Sequence, residues 1–355
     1  MSDESERWIR PTQALPAGDP SERILAPEQE RSWRERGFAL VDGVFPEDLV
    51  ARARTEAGSR FPAAGSPESE SITDFGSEDT LAFPAEVAAV NTLTLHPRIL
   101  QAVAQLLAEE PCGLRLTQSD CWAKYGRRTR SGGDRDNTDQ RIHADYPNHT
   151  LTHPPRWEAP EAVEILLYLD DVEICEGATG VVPRAGDDDP AYAWPMVNLP
   201  GVGSIAWQND RTATEASLRK DFPEIARFRQ DHLYAREVEA RYRVGSVLFY
   251  RHDTWHRGRP LRQGTRRLAQ NMTFRKASSE WISVLQPGWA WAMYRPSQVM
   301  EKLIASASVE QRCVLGFPGP GNPYWTRDTI EAVNARYGPL GMDMKPYERA
   351  LGSTG

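Results

Sequence analysis

Two hydrophobic rhythms divide the chain. Up to residue 107 the pattern is mostly helical. One helix runs from Pro27 through Arg36 and is stopped by Gly37. A second opens at Pro46 and runs through Arg54, with the proline in its first turn. A third spans Pro97 to about Leu107, with Ile99, Leu100, Val103, Leu106 and Leu107 at helical spacing. Between the first two, Phe38 to Val41 reads as a short strand. Residues 58 to 82, rich in Ser, Gly, Pro and Glu, read as a flexible surface loop. Beyond residue 107 the pattern changes. Leu114 to Lys124, Val163 to Leu169, Gly180 to Val182, Gly201 to Trp207, Val244 to Tyr250 and Leu268 to Phe274 all read as strands joined by turns. Strands that do not alternate with regular helices argue against a doubly wound α/β fold and for an antiparallel barrel or sandwich with helices outside. If Leu268, Gln270, Met272 and Phe274 face outward onto those helices, then Arg267, Ala269, Asn271 and Thr273 face the interior.

The flanks are simpler. Residues 1–26 read as a loosely held arm, and 27–355 as a single domain with its strand-rich core at about 114–276. A charged helical insertion at about 212–240 reads as a supporting helix, a lid or a dimer contact. The extension 277–355 is aromatic-rich, with Trp281, Trp289, Trp291, Tyr294, Tyr324 and Trp325. The net charge of −8 over 355 residues argues against nucleic acid or an anionic membrane surface as the main partner. The four cysteines form no Cys-X-X-Cys pair, the N-terminus lacks an apolar leader, and no apolar run approaches the ~18 residues of a span. These features predict a cytoplasmic protein with reduced thiols, monomeric or a homodimer.

The chemistry gathers around Gln140-Arg141-Ile142-His143-Ala144-Asp145-Tyr146-Pro147. On an extended segment, residues two apart project to the same side, so His143 and Asp145 can reach one metal ion. Of the seven histidines, His252 and His256 adjoin the strongly apolar strand Ser246 to Tyr250, and His256, at the strand end, is the better third ligand. Two imidazoles and one carboxylate on one face of a metal leave positions open, the arrangement of non-heme Fe(II) oxygenases. Arg267 follows eleven residues after His256 (267 − 256 = 11) on the interior face. A cation there is costly unless it meets an anion, and its planar fork suits a carboxylate.

In these residues the chain resembles the phytanoyl-CoA dioxygenase family of Fe(II)/2-oxoglutarate-dependent oxygenases. Its pattern is His-X-Asp, a distal His at a strand end and an Arg about eleven residues on, here His143-Ala144-Asp145, His256 and Arg267. Gly37 to Phe45 is similar to the family's opening strand and turn, and Glu176 to Pro183 to the segment after its central strand. The likeness covers roughly residues 28 to 276. It implies a mainly β fold with flanking helices, a double-stranded β-helix (jelly-roll, cupin-like) barrel. It implies Fe(II) on His143, Asp145 and His256, with O2 and 2-oxoglutarate consumed. Arg267 would bind the distal carboxylate of 2-oxoglutarate, with Lys124 and Thr179 as further co-substrate contacts. Two departures stand out: Gly258 where the family often has Ser, and Pro183-Arg184-Ala185-Gly186 in place of Pro-Gly-Ser-His.

The implied reaction is oxidative decarboxylation of 2-oxoglutarate to succinate and CO2, coupled to hydroxylation of an aliphatic C–H of a small molecule. Related halogenases replace the carboxylate ligand with a small residue, so the presence of Asp145 favours hydroxylation. Trp122, Tyr146 and Trp255, with Trp194, are candidates for lining a substrate pocket. Arg141, Arg257 and Arg259 fall near the predicted mouth, as solvated charges or as partners of an acidic substrate. Nothing in the chain marks a CoA site. Two other readings are a cupin-like metal hydrolase or isomerase without 2-oxoglutarate, and a non-catalytic small-molecule-binding barrel.

Overall fold

The computed structural model describes residues 7–15, 23–72, 80–127, 137–145, 159–192, 200–279, 298–309, 312 and 317–352. Eleven strands are found among them: β1 (Trp8–Ile9), β2 (Thr12–Gln13), β3 (Phe38–Asp42), β4 (Leu81–Ala82), β5 (Leu114–Tyr125), β6 (Ala162–Tyr168), β7 (Thr179–Val181), β8 (Val238–Ala240), β9 (Val247–Arg251), β10 (His256–Gly258) and β11 (Arg266–Lys276). They form a seven-stranded sheet, β2-β3-β9-β6-β11-β5-β4, and a four-stranded sheet, β1-β8-β7-β10. Most pairs are antiparallel; β1–β8 and β2–β3 are parallel. Among the described residues the two sheets share no strand and are joined by packing between two layers.

Two apolar clusters show why the sheets stack. Phe38, Leu40, Leu166, Tyr168, Leu248, Tyr250 and Ala269 of the large sheet pack with Val181 and Ala240 of the small one. On the opposite face of the large sheet, Ile165, Leu167, Val247, Phe249, Leu268, Met272 and Phe274 pack against Ile99, Val103, Leu106 and Leu107 of the helix Pro97–Leu107. The alternation along β11 is the expected one. Gln270, the polar member of its outer set, donates to Val90 O, Thr94 Oγ1 and Ser119 Oγ at 3.1, 2.8 and 3.1 Å.

The helices begin and end where local chemistry sets them. Pro27 opens the first, the Gln29 side chain accepts the Ala26 N–H at 2.7 Å, and Gly37 ends it at φ 95°. His96 caps Pro97–Leu107 by accepting the Arg98 N–H through Nδ1.

Several expectations are corrected. Part of the predicted N-terminal arm is pinned, because β1 and β2 add an edge to each sheet. The predicted loop 58–82 contains the short helix Pro67–Ser71 and β4. The helix Ala88–Thr94 was not expected. Gly201 to Trp207 is a turn: Gly201 N–H donates to Ile205 O, and Gly201 and Gly203 take φ of 91° and 60°. The insertion is two helices, Arg211–Asp221 and Pro223–His232, broken where Pro223 interrupts the pattern, and its last residues form β8. In the C-terminal part, Phe317, Trp325, Tyr337 and Tyr347 build their own aromatic cluster, against which Ala162 of β6 packs. Trp281, Trp289, Trp291 and Tyr294 lie outside the described residues.

Candidate metal centre

His143 comes from an extended segment that lies along β10. Its N–H donates to His256 O at 2.8 Å, and the His256 N–H returns a bond to His143 O at 2.7 Å. A further rung joins Gln140 N–H to Gly258 O at 3.1 Å. This pairing sets the two rings side by side, their centroids 4.4 Å apart. Asp145 completes the set, with Oδ1 3.5 Å from His143 Nε2 and Oδ2 3.4 Å from His256 Nε2. The candidate ligand atoms of the three lie within 4.8 Å of one another, and all three residues are buried.

Their surroundings suit a metal. His143 Nδ1 lies 3.2 Å from Arg141 O, and His256 Nδ1 lies 3.0 Å from Thr254 O. A carbonyl only accepts, so each Nδ1 carries the proton and each Nε2 presents a lone pair inward. Burial, then the neighbouring His256, lowers the His143 pKa to about 3, so the ring is neutral at ordinary pH. Tyr250, at the end of β9, donates its hydroxyl to Asp145 Oδ2 at 2.9 Å.

The insertion buttresses this segment. Arg229 donates to Ile142 O at 2.9 Å, the Tyr234 hydroxyl accepts the Ile142 N–H at 3.2 Å, and Arg141 N–H donates to Asn209 O at 2.8 Å.

The pocket holding the triad is also lined by Trp122, Thr179, Tyr250, Gly258, Arg267, Gln118, Glu164, Asn271 and Thr273. It encloses about 600 Å³ not filled by protein atoms, its open mouth included. Arg267 is 2% exposed. Its guanidinium lies 5.8, 5.9 and 6.0 Å from the ring centroids of Trp122, Tyr168 and Tyr242, and it donates to Gly177 O at 2.7 Å. Its Nε has no hydrogen-bond partner, and among the described residues no carboxylate pairs with it. A buried cation in an aromatic box, opening into a metal pocket, fits a ligand that brings its own carboxylate.

The other predicted residues divide. Thr179 is buried, lines the pocket and accepts the Tyr168 hydroxyl at 2.7 Å, leaving its own proton to donate. Lys124 is paired across the strands with Arg267, and its Nζ donates to Arg259 O at 2.9 Å. It stands one layer behind the wall: a Cβ added at Gly258 would come within 3.0 Å of Lys124 Nζ and 2.7 Å of Gln140 Oε1. At Gly258 a side chain would therefore have to displace the ends of Gln140 and Lys124. Trp122 lines the pocket, whereas Trp255 does not. Its ring packs with Ile142, Ala144 and Val182, and Nε1 donates to Ala191 O at 2.6 Å. Neighbours on an extended strand face opposite ways, so His256 facing the pocket turns Trp255 away. Tyr146 and Trp194 lie outside the described residues. The three arginines near the mouth each have partners within the protein, and Arg259 alone of them is partly exposed. Arg257 is 1% exposed and ion-paired with Asp139 and Glu237, Arg259 pairs with Glu239, and Arg141 lies over the Trp207 ring. Tyr250, Glu164 and Gln118 were not singled out from sequence, although the predicted interior face of β11 already contained Asn271 and Thr273.

The model of the family described as phytanoyl-CoA dioxygenase (PhyH) matches residues 33–269. No curated protein sequence matches the chain. Among solved structures, the chain is similar to the non-heme alpha ketoglutarate dependent carbocyclase SnoK from nogalamycin biosynthesis, at 19% identity over 71% of this chain and 85% of that one, TM-score 0.48. It is similar to EvdO2 from Micromonospora carbonacea var. aurantiaca complexed with 2-oxoglutarate, at 16% identity over 75% and 96%, TM-score 0.49. The epimerase SnoN, in complex with Fe3+, alpha ketoglutarate and nogalamycin RO, is 18% identical over 71% and 83%, TM-score 0.46.

Proposed function

This chain belongs to the phytanoyl-CoA dioxygenase family of Fe(II)/2-oxoglutarate-dependent oxygenases, and on that premise we propose that it hydroxylates an aliphatic C–H bond of a small molecule, releasing succinate and CO2. His143, Asp145 and His256 hold the iron, and Arg267 holds the distal carboxylate of 2-oxoglutarate. The observation that carries this reading is Arg267, a buried cation facing the same pocket as the triad. A metal hydrolase or isomerase working without a dicarboxylate would leave that charge unexplained.

When bound, the iron supplies oxygen activation at the expense of 2-oxoglutarate. The protein's part is to bind, orient and keep dry. The carbonyls of Arg141 and Thr254 fix the imidazole tautomers, and Tyr250 fixes the carboxylate. Thr179 donates its hydroxyl proton to the co-substrate carboxylate beside Arg267. Lys124, behind Gly258, adds positive potential at the same end. The boxing rings of Trp122, Tyr168 and Tyr242 exclude water, which strengthens the Arg267 pairing. Asp145 fills the third protein ligand position and leaves no protein-vacated place for a halide, which favours hydroxylation over halogenation.

The test is substrate-triggered succinate release with Fe(II), 2-oxoglutarate and O2, screened across metabolites. Iron-dependent succinate coupled to a product heavier by one oxygen supports the reading. A product that gains chlorine, or loses two hydrogens without gaining oxygen, overturns hydroxylation while leaving the oxygenase assignment in place.

A further inference from the structure

The inner face of the large sheet carries a row of polar side chains beside the triad. Gln118 on β5 lies opposite Thr273 on β11, Thr273 opposite Glu164 on β6, and Glu164 opposite Tyr250 on β9, which bonds Asp145. Asn271 is the neighbour of Thr273 on that face of β11 and lies diagonal to Gln118, about 7–8 Å away. Gln118, Asn271, Thr273 and Glu164 all line the pocket that holds the triad. Between Arg267 and Arg275 every residue of β11 is buried except Asn271, and Gln118 on β5 is likewise half-buried, so both amides reach the open volume. On β6 the next inward-facing residue past Glu164 is Ala162, fully buried in the C-terminal aromatic cluster, which closes that end.

Resting on the oxygenase reading above, we propose that Asn271, together with Gln118, determines substrate specificity by binding a hydroxyl group, so that the substrate is a small, neutral, hydroxyl-bearing molecule. The other members of the row are engaged within the protein. The Thr273 hydroxyl donates to Glu164 Oε2, and the Gln118 amide N–H donates to Asp120 Oδ2 at 2.6 Å, which leaves Gln118 Oε1 as the accepting end. Asn271 differs: its Oδ1 is buried without a partner, and among the described residues no hydrogen bond reaches its amide. A buried amide that lines a pocket and is unsatisfied by the protein is costly unless a ligand completes it. The amide presents an acceptor and donors side by side, and a hydroxyl, which both donates and accepts, answers either. An apolar chain would leave Asn271 Oδ1 bare. A substrate carboxylate could accept from Asn271 Nδ2 but offers nothing to Oδ1, and it would approach Asp145. Burial holds the Glu164 carboxyl well above the usual range, so this end does not call for a cation either.

The experiment uses the parent enzyme and Asn271→Leu and Asn271→Ser variants, loaded anaerobically with Fe(II) and 2-oxoglutarate. The visible band of the loaded enzyme is recorded first. Its absence in the parent overturns the oxygenase reading itself, before any substrate question arises. Four- to seven-carbon polyols and cyclitols, their singly deoxygenated analogues, and amines and carboxylates of the same size are then added. Band perturbation and succinate release are read. The expected result is that polyols act, and that removing one particular hydroxyl raises KM roughly tenfold, as for one hydrogen bond left unmade. In Asn271→Leu the band persists, KM for the full polyol rises by a similar factor, and the deoxy analogue is no longer the poorer substrate. That loss of discrimination is a pairwise coupling, which a merely structural residue does not show. Asn271→Ser, which keeps a smaller donor and acceptor, retains part of the discrimination and gives the same readout should the leucine variant not fold. Three outcomes each overturn the proposal: no polyol perturbs the parent's band, amines or carboxylates act while polyols do not, or the Asn271 variants discriminate against the deoxy analogue as the parent does.

Discussion

His143 and His256, far apart in sequence, exchange both of their backbone hydrogen bonds, at 2.8 and 2.7 Å. The geometry of the proposed metal site is therefore set by main-chain pairing, with the side chains following from it. The third proposed ligand depends on a side chain, since Tyr250 holds Asp145 Oδ2 at 2.9 Å. Tyr250→Phe keeps the ring packing and removes that bond. The expected result is about tenfold weaker Fe(II) binding with little change in melting temperature. Metal titration of the purified variant checks this; unchanged affinity would remove Tyr250 from the account.

If Arg267 holds the co-substrate as proposed, Arg267→Ala leaves a co-substrate carboxylate in an aromatic box without its cation. Losing one partner of a buried pair costs about 2–5 kcal/mol, so the 2-oxoglutarate dissociation constant is expected to rise by roughly thirtyfold or more. Arg267→Lys restores the charge without the fork and recovers only part of the loss. Calorimetric titration of 2-oxoglutarate into the anaerobic Fe(II) enzyme measures both.

A side chain at Gly258 would have to displace the ends of two buried side chains, because its Cβ would fall 2.7 Å from Gln140 Oε1 and 3.0 Å from Lys124 Nζ. Gln140 Oε1 also accepts the Gly258 N–H at 2.8 Å. Gly258→Ala is expected to destabilise the protein by ~1–3 kcal/mol through overpacking. Shortening Gln140 in a Gly258→Ala/Gln140→Ala double variant recovers part of that loss, so the two changes are non-additive. Denaturant unfolding of the four proteins checks it; strict additivity would show that the contact does not matter.

Burial, reinforced by the nearby Asp145 carboxylate, holds Glu164 well above the usual carboxylate range. Folded protein then keeps a proton on Glu164 over a range in which the unfolded chain, near 4.5, has released it. The parent's stability from this group is full below about pH 4.5 and declines as pH rises toward the folded value. Gln does not titrate. In metal-free protein, the melting temperature of Glu164→Gln relative to the parent is thus expected to climb with pH above 4.5. Parallel curves for the two proteins would contradict this.

Much of this was legible where local periodicity carries the information. The outward set Leu268, Met272 and Phe274 and the inward set Arg267, Asn271 and Thr273 follow from alternation alone, and both are found. Other features depend on contacts between distant residues. The Arg229 and Tyr234 contacts to Ile142 turn a charged insertion into a brace, and no local pattern encodes them. Arg257 and Arg259 looked like mouth charges because their acidic partners, Glu237 and Glu239, come from the far end of that insertion. Trp255 is the instructive error. Its adjacency to His256 suggested the pocket, although the alternation that aims His256 inward turns Trp255 into the cluster with Ala144 and Val182.

The most direct measurement is anaerobic visible absorption of the protein titrated with Fe(II) and 2-oxoglutarate, alongside His143→Ala and Arg267→Ala. The expected result is a charge-transfer band in the parent that needs both additions. It should be lost in His143→Ala, and recovered in Arg267→Ala only at much higher 2-oxoglutarate. A parent that gives no such band, or a His143→Ala variant that gives the parent's band, would contradict the assignment of His143, Asp145, His256 and Arg267 as one iron and 2-oxoglutarate site.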